Sequence, residues 1–235
     1  MRKAQQTPKT AAPRPPELLS REQCLVAGKA LRARVPHESH ATWKPPARGR
    51  HPIKILALSN RTRLPELVPI RYGRMLRSPF AFMRGSAGLM AADLAKMPTT
   101  TLRVQACGDC HLMNFGLFAT PERNLVFDIN DFDETLPAPW EWDIKRLAAS
   151  FAVAARDNGN SDAKARDAAV ECVRAYRERL RDYSKMRPLE VWYDHMDEAA
   201  LIAMAPDAET RKRRKEYTAQ ARQHIGEYLL PKITD

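Results

Sequence analysis

Apolar residues recur at the spacing of a helix face in two stretches of the first half of the chain. Ser20 and Gln23 have the pattern of a capping box, which predicts a helix over residues 20–35. Ser78-Pro79 is a favourable helix start, because a serine can cap the first turn and proline is tolerated there. An apolar face then predicts a second helix to about residue 97.

The second half of the chain is predicted to be almost entirely helical. Gly159 is a suitable C-terminal stop for one helix, and Ser161 can cap the next one. Pro188 then interrupts the helical pattern. The predicted helices cover residues 140–159, 161–183, 189–204 and 208–229.

Between these helical halves the pattern changes to alternation. Residues 102–106 alternate as a strand does, and residues 115–118 and 125–129 flank a turn-forming segment as in a hairpin. This hairpin would bring Asn114 and Asp131 close together. The fold class predicted from these elements is α+β, predominantly helical.

Composition indicates one domain with a tail. With 44% hydrophobic residues, the chain can form a sizeable core, which we assign to a single domain over residues 17–235. Residues 1–16 are basic and proline-rich, which predicts a disordered tail. No stretch has the apolar length of a signal peptide or a membrane span, so we expect a cytoplasmic protein without membrane contact.

The four cysteines are too few and too irregularly spaced for a disulfide framework. Cys107 and Cys110 form a C-x-x-C pair, which is typical of redox sites and of half a zinc site. No second pair completes a zinc shell, and a strand rather than a helix follows. We therefore interpret both cysteines as incidental neighbours of Asp109.

A formal net charge of +11 and the run Arg211–Lys215 suggest contact with nucleic acid. No aromatic residues are interleaved with this run, and no recognition motif accompanies it. A solvated helix face explains the run better. Binding of nucleic acid, or a non-catalytic scaffolding role, is kept as the alternative function.

Two stretches, residues 107–116 and 127–134, contain five acids: Asp109, Asp128, Asp131, Asp133 and Glu134. Acids crowded this closely repel one another, so a fold that gathers them usually supplies a cation or performs proton chemistry. In kinases, an Asp accepts the substrate's proton, an Asn five residues later holds Mg²⁺, and an Asp after a strand holds the metal from the other side. Asp109, Asn114 and Asp131 have this arrangement.

The segment Gly108–Asn114 also resembles the Gly-Asp-x-His-x-x-Asn loop of aminoglycoside phosphotransferases and choline kinases. Asp131-Phe132-Asp133 resembles the Asp-Phe-Asp of the same proteins. The resemblance implies the larger lobe of a kinase-like fold that uses Mg²⁺ and ATP. The phosphate acceptor, a small molecule or a protein, stays open.

Five motifs in order resemble the bacterial domain-of-unknown-function family 2252 from about Arg34 to Tyr193: Glu66–Met75, Ser78–Gly85, Gly108–Gly116, Asn130–Pro139 and Trp142–Ala148. Members of that family usually continue into a Gly-rich segment and a Lys-bearing strand, which would cover and pair the nucleotide phosphates. The resemblance implies that this chain corresponds to their first half. We expect weak or no ATP binding by the chain alone, a complementary C-terminal polypeptide, and an exposed apolar surface along residues 140–155 and the acidic hairpin.

These patterns assign roles to six candidate site residues, to one alternative metal ligand and to one supporting residue. Asp109 is predicted as the general base, with a turn cap as the alternative, and His111 as the residue that orients its loop. Asn114 and Asp131 are predicted to hold Mg²⁺, with Asp133 or Asp128 as substitutes. Arg84 lies among apolar neighbours and is predicted to bind a cofactor phosphate or one of the acids. Asp143 is expected to brace the loop from the following helix.

Overall fold

The computed structural model describes residues 19–43 and 51–223, so the predicted tail over residues 1–16 and the end of the last predicted helix lie outside the described residues. Five helices occupy the first half, α1 (Arg21–Arg34), α2 (Pro52–Ser59), α3 (Val68–Met75), α4 (Pro79–Arg84) and α5 (Ala87–Leu94). The second half contains α6 (Glu141–Asp157), α7 (Asp162–Tyr183), α8 (Pro188–Tyr193), α9 (Glu198–Ala203) and α10 (Ala208–Gln223). With two small antiparallel sheets between them, the fold is α+β and predominantly helical, as predicted.

Local capping signals were reliable. Ser20 accepts a hydrogen bond from the Gln23 amide at 3.2 Å, and the Gln23 side chain accepts one from the Ser20 amide at 2.7 Å, which completes the predicted capping box of α1. Ser78 accepts from the amide of Ala81 at 3.1 Å and caps α4. These bonds satisfy amides that the first helical turn leaves without partners.

The predicted helix over residues 78–97 is wrong as a single element, because it divides between α4 and α5 at Gly85. The Gly85 carbonyl accepts a hydrogen bond from the Arg71 guanidinium. A Cβ added to Gly85 would lie 2.5 Å from the Met75 side chain, so α3 packs directly against this break. Close packing and a long-range hydrogen bond thus replace the continuing helix.

Five strands form the sheets, β1 (Arg103–Ala106), β2 (Phe115–Ala119), β3 (Leu125–Ile129), β4 (Leu136–Pro139) and β5 (Met196–Asp197). The predicted hairpin is confirmed by the β2–β3 pairing, which aligns Phe115 with Ile129. β1 pairs with β4, aligning Ala106 with Leu136. β4 was not predicted, because two of its four residues are prolines, which are confined to sheet edges and other positions where no ladder donor is needed.

The predicted helix over residues 189–204 is also divided. Its middle forms β5, in which Met196 pairs with Phe127 of β3. Asp197 then caps α9 by accepting a hydrogen bond from the Ala200 amide at 2.7 Å. Pairing with the central strand of the three-stranded sheet thus outweighs local helix propensity.

Helix α6 packs along α7 and carries polar residues into the interior. Glu141, Arg146 and Ser150 are each at most 2% exposed. No residue from 140 to 155 is exposed, so the predicted apolar surface along this helix is wrong. In and after the hairpin, however, Phe118 is 40% and Phe132 56% exposed. None of the helices in the described ranges combines the length and apolar character needed to cross a bilayer.

Candidate active site

All six predicted site residues line one cleft of about 840 Å³. One part of the lining, here called the acidic side, consists of Asp109, His111, Asn114, Asp131, Asp133 and Glu134. Another part, here called the basic side, consists of Arg63, Arg71, Arg74, Arg77 and Arg84. The cleft therefore combines the two kinds of charge that phosphate chemistry requires.

The acidic side is built from two connecting segments that run beside each other. Residues 107–114 lead from β1 to β2, and residues 130–135 lead from β3 to β4. Because β1 pairs with β4 and β2 with β3, both segments join the same two sheets. The Asn130 amide donates to the Asn114 carbonyl at 2.8 Å, which places Asp131 next to the end of the first segment.

Asp109 forms an ion pair with the guanidinium of Arg146. Arg146 Nε lies 2.6 Å from Asp109 Oδ1, and a second guanidinium nitrogen contacts the same oxygen. The Arg146 side chain is 2% exposed and that of Asp109 is 21% exposed. Arg146 also donates to the Met83 carbonyl at 2.7 Å, so it ties the Asp109 loop to both α6 and α4.

Arg146 was not predicted as a site residue. It is separated from Asp109 by 37 positions, and its neighbours in the sequence belong to an amphipathic helix. The available signal was a charged residue between Ile144 and Leu147, within one of the motifs that resemble the family.

Helix α6 braces the loop that carries Asp109, as predicted for Asp143. The Asp143 carboxylate accepts hydrogen bonds from the Cys107 amide at 2.7 Å and the Gly108 amide at 3.1 Å. Ser150, which is fully buried, accepts from the Leu112 amide at 2.9 Å. Three loop amides thus find acceptors on one helix, which fixes the backbone on both sides of Asp109.

Gly108 is required by the close approach of the two connecting segments. Its φ is +82°, a conformation that side chains with a Cβ rarely adopt. An added Cβ would also lie 2.0 Å from the Glu134 carbonyl oxygen. The loop before Asp109 can therefore adopt this path only with glycine.

His111 is 3% exposed and lies behind Asp109. Its Nε2 is 3.7 Å from Asp109 Oδ2, and its Nδ1 is buried without a hydrogen-bond partner. Burial lowers the pKa of His111; the charge of Asp109 opposes this shift, and those of Arg146 and Arg84 reinforce it. A neutral imidazole beside Asp109 fits the predicted orienting role.

Asn114 is 8% exposed and binds the loop with its amide nitrogen, which donates to the Asp109 carbonyl at 2.9 Å. The amide oxygen is the atom left for a ligand. Asp131 Oδ1 accepts from the Asp133 amide at 3.0 Å, and both aspartates are exposed to the cleft. Asp128 instead accepts from the Ile129 amide at 2.8 Å and does not line the cleft.

The donor set suits a hard cation. Asn114 and Asp131 offer oxygen atoms, and magnesium is usually held by one or two carboxylates together with water and substrate phosphates. Within residues 19–43 and 51–223, no three His, Cys, Asp or Glu side chains converge as a self-sufficient metal cage. Asn114 and Asp131 are therefore the two oxygen donors that this side of the cleft offers to a hard cation.

Cys107 and Cys110 are buried, and all four cysteines carry free thiols. A hydrogen bond between the two thiols lowers the pKa of Cys107 and raises that of Cys110. Cys107 also donates to the Asp131 carbonyl at 3.6 Å. The pair thus helps to hold the two connecting segments together.

The basic run on α10 lies away from the cleft. Lys212 and Arg213 each face a glutamate one helical turn away, and Arg214 donates to the Leu201 carbonyl at 2.5 Å. Part of the charge of the run is therefore balanced within this region of the fold.

Comparison with known families matches residues 63–235 to the family described as "Uncharacterized protein conserved in bacteria (DUF2252)". The chain belongs to this family. The matched residues include both sides of the cleft. No curated protein and no solved structure matches the chain.

Proposed function

We propose that the cleft is the active site of a magnesium-dependent phosphotransferase, built on the larger lobe of a kinase-like fold, with a small molecule or a protein as acceptor. The observation that carries this proposal is that Asp109, Asn114 and Asp131 line one cleft. Their order along the chain is that of the base and the two metal ligands of a kinase site. The arginines of the basic side supply the positive charge that a transferred phosphoryl group attracts.

In this proposal Asn114 Oδ1 and the Asp131 carboxylate hold the magnesium ion, and Asp133 is close enough in the chain to assist. The ion would neutralise negative charge on the donor phosphates. Arg84, which is exposed on the basic side, would pair with one of those phosphates.

Asp109 would accept the proton of the acceptor hydroxyl as its oxygen attacks phosphorus and the bond to the leaving oxygen breaks. Arg146 occupies Oδ1, so Oδ2 is the oxygen left for the hydroxyl. Arg146 and Asn114 fix the orientation of Asp109 before substrate arrives, so catalysis would come from positioning and charge compensation. Arg146 is a positioning residue in this scheme, because it acts through Asp109.

Binding of Mn²⁺, a paramagnetic substitute for Mg²⁺, tests the proposal by electron paramagnetic resonance with and without ATP. Asp131→Asn should weaken binding by about tenfold or more, the scale of losing a ligand or its support. Asp128→Asn removes the same charge three residues away and outside the cleft, and should leave binding unchanged. Equal losses in the two variants, or no bound Mn²⁺ in the unsubstituted chain, would refute the magnesium site.

A further inference from the structure

The basic side contains more positive charge than the described part of the protein balances. Arg63 contacts Glu134 at 3.4 Å, and both side chains are more than 40% exposed. Among the described residues, Arg74 and Arg77 make no ion pair, although both line the cleft. Asp109, the acid deepest in the cleft, is already paired with Arg146.

The arginines at 71, 74 and 77 recur every three residues on α3 and just after it, so they succeed one another along one side of the helix. All three line the cleft. Such a row of guanidinium groups is repulsive unless an anion lies among them. The repetition and the shared orientation point to a ligand.

Arg71 is held in place before any ligand binds. Its guanidinium donates to Asn60 Oδ1 at 2.6 Å and to the Gly85 carbonyl, both neutral acceptors. Burial lowers the pKa of Arg71 and the charge of Arg63 lowers it further, against smaller opposing effects of Tyr72 and Glu134. A half-buried cation with neutral partners alone gains strongly from an anion, and a fixed guanidinium loses little freedom on binding one.

We propose that Arg71, Arg74 and Arg77 form a metal-independent site for the phosphate group of a small molecule. Three guanidinium groups carry more positive charge and more hydrogen-bond donors than a single carboxylate can pair with. A phosphate monoester carries nearly two negative charges and three acceptor oxygens. This site deepens the proposed function, on which it rests for the phosphate-binding role of the basic side, but it requires neither the magnesium ion nor phosphoryl transfer. The phosphate can belong to a phosphorylated acceptor or to the polyphosphate chain of a nucleotide.

Isothermal calorimetry in EDTA at constant ionic strength tests the site with inorganic phosphate, glycerol 3-phosphate and tripolyphosphate. The double variant Arg74→Gln/Arg77→Gln should bind at least about tenfold more weakly, the scale of losing charge-assisted hydrogen bonds. The matched control, Arg166→Gln/Arg181→Gln, removes the same charge from exposed positions of α7 outside the cleft. Its affinity should change less than about twofold, because exposed charges at a distance are screened by salt.

The possible results separate the alternatives. Comparable affinity for glycerol 3-phosphate and tripolyphosphate would support a phosphorylated small molecule, whereas much tighter binding of tripolyphosphate would support a nucleotide. No binding of any probe, or an equal loss in both double variants, would overturn the site. Asp131→Asn should bind the probes as the unsubstituted chain does, so failure of the magnesium proposal leaves this one intact.

Both arginines of the cleft variant are exposed, so the variant should fold. A urea unfolding curve checks this point. The single variant Arg74→Gln provides the same comparison if the double variant unfolds early.

Discussion

The two sides of the cleft are stabilised in different ways. On the acidic side, Asp143 and Ser150 accept hydrogen bonds from loop amides, and Arg146 compensates Asp109. On the basic side, Arg74 and Arg77 have no ion-pair partner among the described residues. The acidic side therefore has a geometry that the protein imposes by itself, whereas the basic side has positive charge at Arg74 and Arg77 without an ion-pair partner in the described part of the chain, for which we propose a ligand.

We therefore expect substitutions at the two sides to affect different properties: folding stability for the acidic side and anion binding for the basic side. Substitutions that remove the buried support of the acidic side should reduce the free energy of unfolding even without any ligand, because they leave polar groups without partners. Substitutions of Arg74 or Arg77 should have little effect on folding and a large effect on anion binding. The following three tests address the acidic side, where the expected effects on stability are large.

The largest effect is expected for Arg146→Met. The substitution leaves Asp109 without its counterion and the Met83 carbonyl without its donor, which should cost about 3–5 kcal/mol of unfolding free energy. Urea unfolding followed by circular dichroism measures it. Arg156→Met, on the same helix, removes an ion pair whose arginine is 57% exposed and should change stability by less than about 1 kcal/mol.

Similar losses for the two arginine variants would show that the acidic side does not depend on its buried ion pair. The same pairing affects any test of Asp109 as a general base by substitution. Asp109→Asn would leave the Arg146 guanidinium without a carboxylate, so its activity must be measured on protein whose folded fraction is known.

A smaller effect is expected from two matched glycine substitutions. Gly108 and Gly159 both have positive φ, +82° and +75°, so alanine is strained at either position. Only at Gly108 would the new Cβ meet an atom, the Glu134 carbonyl oxygen, whereas the space at Gly159 is open. Gly108→Ala should therefore lose about 1–3 kcal/mol more than Gly159→Ala, the usual range for overpacking.

Thermal or urea unfolding of the two alanine variants provides this difference. Equal destabilisation would mean that the two connecting segments separate easily, and the acidic side would be less rigid than its hydrogen bonds indicate.

The smallest effect concerns pH. Burial lowers the pKa of His111 below its ordinary value of 6.5, so below pH 6.5 the unfolded chain binds the proton more readily than the folded one. Stability is then fully present above pH 6.5 and falls as the pH decreases toward the folded-state pKa. His111→Gln should flatten this decline, as measured by unfolding between pH 7.5 and about pH 5.

His40, whose pKa burial also lowers, provides the comparison, because His40→Gln should remove a separate part of the same decline. An unchanged pH dependence in His111→Gln would mean that the imidazole is charged, or accessible to water, in the folded protein.

Sequence reasoning predicted the elements whose signals are local. Ser20 and Ser78 cap helices within three residues, and the hairpin of β2 and β3 follows from alternation and a turn. The errors occurred where distant partners decide the structure. β4 is a strand because it pairs with β1. The helix that follows Ser78 ends at Gly85, whose carbonyl accepts a hydrogen bond from the Arg71 side chain.

The same distinction applies to the site. Asp109, His111 and Asn114 could be selected as candidate site residues from the sequence, because all three lie in one loop at a spacing typical of kinases and related phosphotransferases. Arg146 contacts Asp109 from 37 residues away. Helical periodicity places it opposite the apolar residues at 144, 147, 148 and 151, on the face where solvated residues are expected. The arginines at 71 and 74 were within a recognised motif, but only the folded cleft shows that they share a lining with the acids.

Arg146 contacts Asp109 and, through the Met83 carbonyl, the residue that precedes Arg84. One guanidinium therefore connects the Asp109 loop to α4. A ligand that shifted α4 would then also disturb Asp109, and a ligand that moved Asp109 would disturb α4. Binding at the two places would be thermodynamically linked, and such a linkage is reciprocal.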